Sequence, residues 1–418
     1  MSAIASRIGN VRARAALTFA RVQERGVAWA AGRVAGRVVK LGLWLVLLPL
    51  AATLHLAGFR RVSIFAQRIG HLAGEADTFL KEQALGRLPK RRWFIVARPE
   101  QVANHHMLDY CRERIPTVSQ PPLSTILDVM SSRFLLRYDV SDYMLNLRGT
   151  ARMYEINSAW AGRSPIFGLR AKDHALAGGL LQREGVDAGD WFVCVHARDG
   201  NFSPEDEPLH SYRNGRIEAL IPAMREVVAR GGWCIRMGGP TSVPLPRMDR
   251  VIDYAHSSWR SPRMDVALCA RARFFLGDSS GLFFISTAFG VPSALANLIP
   301  LAVLAIAPGD LCIPKLLWST KEQRFLSFEE ALSSEVGSFR YTRLYRESGI
   351  EPRENEPDDI LELAREMLDR IDGRFTENEG DEFLQKRFRR LFRPGHYGHA
   401  SASRVGTAFL RKHENLLP

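Results

Sequence analysis

The sequence predicts an α/β protein with two Rossmann-like halves facing a cleft, a basic and apolar helical leader before them and C-terminal helices after them. Three observations point there. Beyond residue 61, short apolar runs alternate with segments of helical periodicity, the pattern of a parallel sheet with crossover helices. The alternation occurs twice, on either side of a stretch at 116–185 that Pro116, Pro121 and Pro122 interrupt. The chain has 418 residues, 46% of them hydrophobic and 24% charged, which is core material for two or three domains and excludes a disordered polymer. The expected division is a leader at 1–61, an N-terminal half at 62–185, a C-terminal half at 186–340 and a helical tail at 341–418.

The leader carries the charge. Residues 1–72 hold 11 Lys/Arg against Glu24 alone, a net +10 of the chain's +12, so everything after them is nearly neutral. A nucleic-acid binder would carry its basic residues along a groove of the folded domain, so no nucleic-acid partner is expected. Leu41 to Phe59 is free of charge and flanked by Arg33, Arg37 and Lys40 on one side and by Arg60 and Arg61 on the other. Nineteen such residues can just span a bilayer. Pro49, His55 and the positive charge on both flanks favour an in-plane or shallow anchor instead. From Arg7 to Lys40 arginines recur among Ala, Val and Leu, a basic amphipathic helix suited to an anionic lipid surface. The alternative is that Leu41 to Phe59 forms one buried helix of the globular fold. The five cysteines, at 111, 194, 234, 269 and 312, are odd in number and contain no C-x-x-C pair, so they read as reduced thiols of a cytosolic protein.

In the first half, Val62 to Ala66 reads as a strand, Gln67 to His71 as a loop and Leu72 to Leu85 as a helix, followed by strand Trp93 to Ala97 and helix Gln101 to Ile115. The second half starts with strand Trp191 to Ala197. Helix Gly215 to Arg230, strands Trp233 to Met237 and Val251 to Tyr254, helix Arg263 to Ala272, strand Phe274 to Leu276, helix Gly281 to Phe289 and strand Ser293 to Ala296 complete it. Glu356 to Asp372 is a strongly amphipathic helix, Glu379 to Leu391 another, and Arg404 to Leu417 a short helical ending.

Ligands of such sheets sit beyond the carboxyl ends of the strands, and four segments fall there. In Cys194 to Asn201, His196 and Arg198 lie two apart on an extended chain and project to one side, where imidazole and guanidinium can converge on an anion, with Asn201 beyond them. The bland reading makes His196 a core residue and pairs Arg198 with Asp199 or Asp206. In Arg273 to Gly281, a strand runs into Asp278, Ser279, Ser280 and Gly281 and then a helix, whose unpaired amides can hold an anion; the same residues also suit a plain N-cap. Gly238 and Gly239 end another strand and admit a ligand close to the backbone. Tyr254, His256 and Ser257 follow the next, placed to meet a nucleobase.

Two chemistries drop out: there is no G-x-x-x-x-G-K-S/T phosphate loop and no H-E-x-x-H zinc helix. No D-x-D pair is present to hold a divalent cation on a diphosphate, so no metal and no cofactor are expected, and arginine with helix amides would take the cation's place.

These residues resemble glycosyltransferases of the two-Rossmann (GT-B) type. Val195 to Phe202 resembles the H-x-R-R-x-D region of the fucosyltransferase-like group, with Asp199 where a second arginine is common, a departure that puts a GDP-fucose donor in doubt. Asp265 to Gly290 is similar to that group's later strand-loop-helix motif. More closely, Arg68-Ile69-Gly70-His71, the His-Ala-Arg-Asp segment, His256-Ser257, the Gly-Asp-Ser-Ser-Gly turn and Gly406-Thr407-Ala408-Phe409-Leu410 together resemble a family of bacterial glycosyltransferases of surface-polysaccharide gene clusters, over about 62–418. The resemblance implies a metal-independent transferase, hexosyl or deoxyhexosyl, whose second half binds a nucleotide-sugar and whose first half binds a glycan or lipid-linked acceptor. It further implies that Arg198, His196 and the amides of 279–281 stabilise the leaving diphosphate. His71 becomes the candidate base, with Glu75 and Asp77 as rivals one turn on. The expected place is the cytoplasmic face of the inner membrane, held peripherally or monotopically through 1–61. A non-catalytic membrane-peripheral scaffold of a polysaccharide assembly machine is the alternative.

Overall fold

The computed structural model describes residues 26, 28, 30–133, 135–140, 142–145 and 147–418. The protein is mixed α/β with parallel sheets, and it divides into two compact units interleaved along the chain. The first is Met1–Ser63, Lys90–Glu100 and Ile115–Asp139; the second is Ile64–Pro89, Gln101–Arg114 and Val140–Pro418. The expected domains are contiguous, whereas here the helices Ile69–Ala84 and His105–Arg112 belong to the second unit although the strands flanking them in sequence belong to the first.

The first unit carries a parallel four-stranded sheet of β1 (Phe59–Ser63), β2 (Arg92–Val96), β3 (Thr117–Val118) and β4 (Arg137–Asp139), in the order β3-β2-β1-β4. β1 begins three residues before the expected strand. Gly58, at φ 84°, ends the preceding helix in a conformation that disfavours other residues and releases the chain into the sheet. Arg60 and Arg61 are therefore strand residues, and Arg61 bonds Asp128 at 2.9 Å.

The apolar run is neither one buried helix nor one straight span. Helices Ala30–Val46 and Leu48–Leu56 meet at an angle of 56°. Pro49, in the first turn of the second helix, has no N–H to continue the ladder of the first. Among the described residues no single helix is long and apolar enough to cross a membrane, though the bent pair is by length and composition. One face is anchored: Ala51 packs with Met130 and Leu136, aided by Leu47, Leu54 and Leu127. The other is bare, with Val38, Leu43, Val46, Leu50 and Leu56 exposed, Leu56 to 86%. Residues 7–25 of the expected basic helix lie outside the described residues.

The second unit is built on a seven-stranded sheet, every pairing parallel. Its strands are β5 (Phe192–His196), β6 (Trp233–Arg236), β7 (Val251–Ile252), β8 (Phe275–Gly277), β9 (Ser293–Leu298) and β10 (Leu311–Pro314), with a seventh supplied by the C-terminal tail. β5, β8 and β9 are apolar runs buried on both faces, as central parallel strands must be. A three-stranded antiparallel sheet, β12-β11-β13, follows, built from β11 (Leu316–Ser319), β12 (Arg324–Phe325) and β13 (Ile350–Arg353). The tail is helical at Pro357–Ile371 and Glu379–Arg390, but Arg404 and Val405 form β14, which edges the large sheet beside β10 before the short helix Thr407–Lys412. The large sheet thus runs β14-β10-β9-β8-β5-β6-β7. Asp173, fully buried, accepts from His106, Tyr110 and Arg263 and ties three helices to one carboxylate.

Candidate functional site

β5 and β8 run side by side with His196 opposite Gly277, so the chain leaves the sheet at two adjacent points, into 197–201 and into 278–282. Asp278 bridges the exits. Its Oδ2 accepts the Arg198 N–H at 3.1 Å and its Oδ1 accepts Asn297 Nδ2 at 3.0 Å. Asn297, at φ 51°, is held in turn by Asn355, each side-chain oxygen accepting the other's backbone N–H. Burial pushes the Asp278 carboxyl up to about 6 against the pull of Asn297 and Lys315. This aspartate is therefore a bracket behind the site rather than a donor-binding group, because a buried carboxylate repels a diphosphate.

The expected convergence of His196 and Arg198 on one anion is replaced by a division of labour. His196 Nδ1 meets the Met237 carbonyl at 3.2 Å, and burial lowers its pKa to about 4, so the ring is neutral at pH 7. With the proton on Nδ1, Nε2 is an acceptor suited to a hydroxyl, not to a phosphate oxygen. Arg198 bonds Asn214 Oδ1 and the His210 carbonyl, with Glu207 at 4.0 Å. Neither Asp199 nor Asp206 is in hydrogen-bond contact with its guanidinium, although the charge of Asp206 acts on it. Lys315 Nζ fixes the Asn214 carbonyl at 2.6 Å. Burial, then Arg213, lower the pKa of Arg198, so two guanidinium groups share this place. His210 is also neutral, held down to about 4 by burial, and its ring stacks on Tyr341 at 5.8 Å.

Arg213 is a functional candidate that sequence reasoning missed. Its Nη2 bonds the Ser279 carbonyl, and it forms no ion pair among the described residues. Nothing local marks it, because only the folding of the loop at 207–216 brings it to the turn. Ser280 is buried there and its Oγ has no partner among the described residues. The helix expected from Gly281 starts at Phe283 and has six residues, too short to supply an anion site at its start. Gly277 to Gly281 also spell Gly-x-Ser-x-Gly, but a nucleophile elbow strains its serine, and Ser279 is not among the residues of positive φ.

His71 lies in the first turn of the Ile69–Ala84 helix, not in a loop. Glu75, fully buried one turn on, accepts the Phe65 N–H at 2.8 Å and meets His71 Nδ1 at 2.5 Å. A carboxylate at Nδ1 favours the tautomer with its proton there, which puts the ring's lone pair on Nε2. Glu75 is thus the partner of His71, not its rival. Asp77 points into the interior, where Lys81 Nζ reaches it at 2.5 Å and Asn157 at 2.9 Å, so it cannot meet a substrate. The helix is seated on the 278–282 turn: a Cβ on Gly70 would stand 2.8 Å from Gly281 Cα, and one on Gly74 would stand 2.5 Å from the Phe284 ring. Gly281 therefore serves helix contact rather than ligand access.

Of the remaining candidates, Gly238 lies by His196, a Cβ on it standing 3.8 Å from His196 Nδ1, and the others are held in local turns. Tyr254 is fully buried and its hydroxyl donates to Asp265 at 2.8 Å, so no nucleobase can stack on it. His256 Nδ1 meets Asp253 at 2.9 Å, and the Ser257 hydroxyl donates to the Tyr254 carbonyl at 2.9 Å. The Gly238 carbonyl accepts from Arg260 Nε at 2.8 Å, and the Gly239 carbonyl accepts the Ser242 N–H at 3.1 Å. Asn201 is exposed and its N–H caps onto Asp199 at 3.0 Å. Arginines, histidine dyad and serine turn come together; the base-side residues beyond β6 and β7 form turns.

No known protein family matches the chain, and no curated protein matches it significantly. Among solved structures, 54% of this chain is similar to 60% of a glycosyl transferase family 9 protein from Veillonella parvula, at 10% identity and a TM-score of 0.26. A further 60% match covers 61% of TibC, an iron-containing dodecameric glycosyltransferase of enterotoxigenic E. coli, at 11% identity and a TM-score of 0.35. TibC in complex with ADP-D-β-D-heptose, described as a heptosyltransferase, matches over 60% of this chain and 62% of its own, at 12% identity and a TM-score of 0.35. The chain spans about three fifths of each of these proteins.

Proposed function

We propose that the protein is a glycosyltransferase that moves a hexosyl or deoxyhexosyl residue from a nucleotide-sugar to a glycan or lipid-linked acceptor, without a metal, in the assembly of a bacterial surface polysaccharide. One observation carries the reading: the helix bearing the His71–Glu75 pair is seated on the same turn that Arg213 grips. In the reaction, His71 Nε2 takes the acceptor hydroxyl proton, the oxygen bonds to the anomeric carbon, and the bond to the diphosphate breaks. Arg198 and Arg213 meet the charge that gathers on the leaving nucleoside diphosphate. The neutral His196 accepts from a sugar or ribose hydroxyl.

Residues 30–56 are the proposed membrane contact, at the cytoplasmic face of the inner membrane. The same segment carries Arg33 and Arg37, which suit anionic headgroups, and Lys40, which bonds Asp128 at 3.1 Å.

Calorimetric titration with UDP, GDP, ADP and CMP tests the site. The expected result is that one nucleotide binds to the wild type, and that Arg198→Ala and Arg213→Ala each weaken it about tenfold or more, as the loss of a charge-assisted contact should. A wild type indifferent to all four overturns the reading and favours the scaffold.

A further inference from the structure

We propose that Arg68 is a third ligand of the leaving diphosphate, held by Asp206 until the donor arrives; the proposal rests on the transferase reading. Arg68 occupies the N-cap position of the helix of His71, and its side chain makes no capping bond there. Its guanidinium reaches across the second unit to the Asp206 carboxylate, with Ser203 Oγ at 3.4 Å. The Ser203 hydroxyl has two acceptors, Glu205 Oε1 at 2.7 Å and Asp206 Oδ2 at 3.0 Å. The same loop then places Glu207 by Arg198 and sends Arg213 to the Ser279 carbonyl. One loop therefore supplies a carboxylate to each of two arginines and carries a third arginine that has none among the described residues.

A guanidinium binds carboxylate and phosphate oxygens alike, so Asp206 Oδ2 on Nη2 and Ser203 Oγ on Nη1 stand on Arg68 where two phosphate oxygens can bind. The pair is open, with side-chain exposures of 40% for Arg68 and 22% for Asp206. Ion pairs this accessible are weak in water, and a diphosphate, with one negative charge on each phosphate, offers the guanidinium more charge than a single carboxylate. Chain connectivity gives the exchange a consequence: Arg68 lies three residues before His71, so its grip on the diphosphate fixes the first turn of the helix that carries the base.

Titration with UDP, GDP, ADP and inorganic pyrophosphate separates the outcomes, with thermal unfolding of each variant measured without ligand. Arg68→Ala should weaken binding about tenfold. Asp206→Asn should strengthen it several-fold, and that gain should vanish in the Arg68→Ala background. Glu218→Gln, which removes an exposed carboxylate with no hydrogen bond or ion pair to Arg68, should give no comparable gain. If Asp206→Asn binds no better than wild type and unfolds at a lower temperature, the pair is a structural clasp and the proposal is wrong. If Asp206→Asn gains equally without Arg68, the effect is general charge removal and the proposal is also wrong. Failure of the wild type to bind any of the four probes instead overturns the transferase reading itself.

Discussion

Gly70 and Gly281 touch backbone to backbone: a methyl group on Gly70 would come within 2.8 Å of Gly281 Cα, and one on Gly281 within 3.0 Å of the Gly70 nitrogen. Only two residues without side chains allow the His71 helix to lie this close to the serine turn. Gly281→Ala should therefore push helix and turn apart. The expected outcome is a loss of about 1–3 kcal/mol in stability from overpacking, with a fall in kcat larger than the rise in donor KM. Urea unfolding and steady-state kinetics on the same preparations check it, and an unchanged kcat refutes the role.

The carboxylates of the His71 helix should separate by function. His71→Ala is expected to lower kcat about 10²–10⁴-fold, the usual worth of a general base, with donor affinity kept. Glu75→Gln should lower kcat in the same direction and by less, because the amide has one acceptor oxygen for two donors, the Phe65 N–H and the His71 ring, and no charge to support an imidazolium. Asp77→Asn leaves the buried Lys81 ammonium unpaired, so it should cost about 3–5 kcal/mol of stability with kcat per folded molecule unchanged. A larger kcat loss at Asp77 than at His71 would reverse the assignment.

Two groups at the sheet exits should tilt the pH dependence of stability in opposite senses. His196, held down to about 4 from an ordinary 6.5, stabilises the fold above that ordinary value and loses the contribution as pH falls through 4. Asp278, raised to about 6 from 3.8, contributes fully below 3.8 and loses its contribution as pH rises through 6. Each can change the slope by at most about 1.4 kcal/mol per pH unit. Between pH 4 and 6, His196→Gln should make the unfolding midpoint climb less with pH than in the wild type, and Asp278→Asn should make it climb more. Parallel profiles for all three proteins would show that these groups are not shifted.

The bare face of the bent helical pair should bind lipid. Val46 and Leu50 are exposed to 76% and 50%, and inserting each into an interface contributes about 1.5–3 kcal/mol. Flotation with phosphatidylglycerol vesicles should recover the wild type, recover less with phosphatidylcholine alone, and lose Val46→Asp/Leu50→Asp at least about tenfold. Equal flotation of wild type and double variant would remove the membrane contact.

Much of the second unit is legible in the sequence, because β5, β6 and β8 are apolar runs ended by His-Ala-Arg, Met-Gly-Gly and Gly-Asp-Ser. β7 is found from the sequence at Val251, though two residues shorter than expected, whereas the two-residue strands β3, β12 and β14 carry too few residues to show a period, and β14 falls where helical spacing dominates. At the site, Arg198 and the 278–281 turn stand at strand ends and can be found there. Arg213, Asn297, Lys315 and Arg68 cannot, since their partners lie far away in sequence. The His71–Glu75 dyad was half visible: its i,i+4 spacing pairs the two only when the helix starts at Ile69, and Arg68 gives no capping signal to mark that start.

The central claim is tested most directly by following nucleoside diphosphate release from UDP-, GDP-, ADP- and CMP-linked sugars in the presence of a cell-envelope extract (nucleoside monophosphate for the CMP sugar), for wild type, His71→Ala and Arg213→Ala in parallel. The account predicts that the wild type consumes one donor and that both variants lose that consumption while keeping the wild-type unfolding temperature within a few degrees. Consumption of no donor, or undiminished consumption by the folded Arg213→Ala protein, contradicts it.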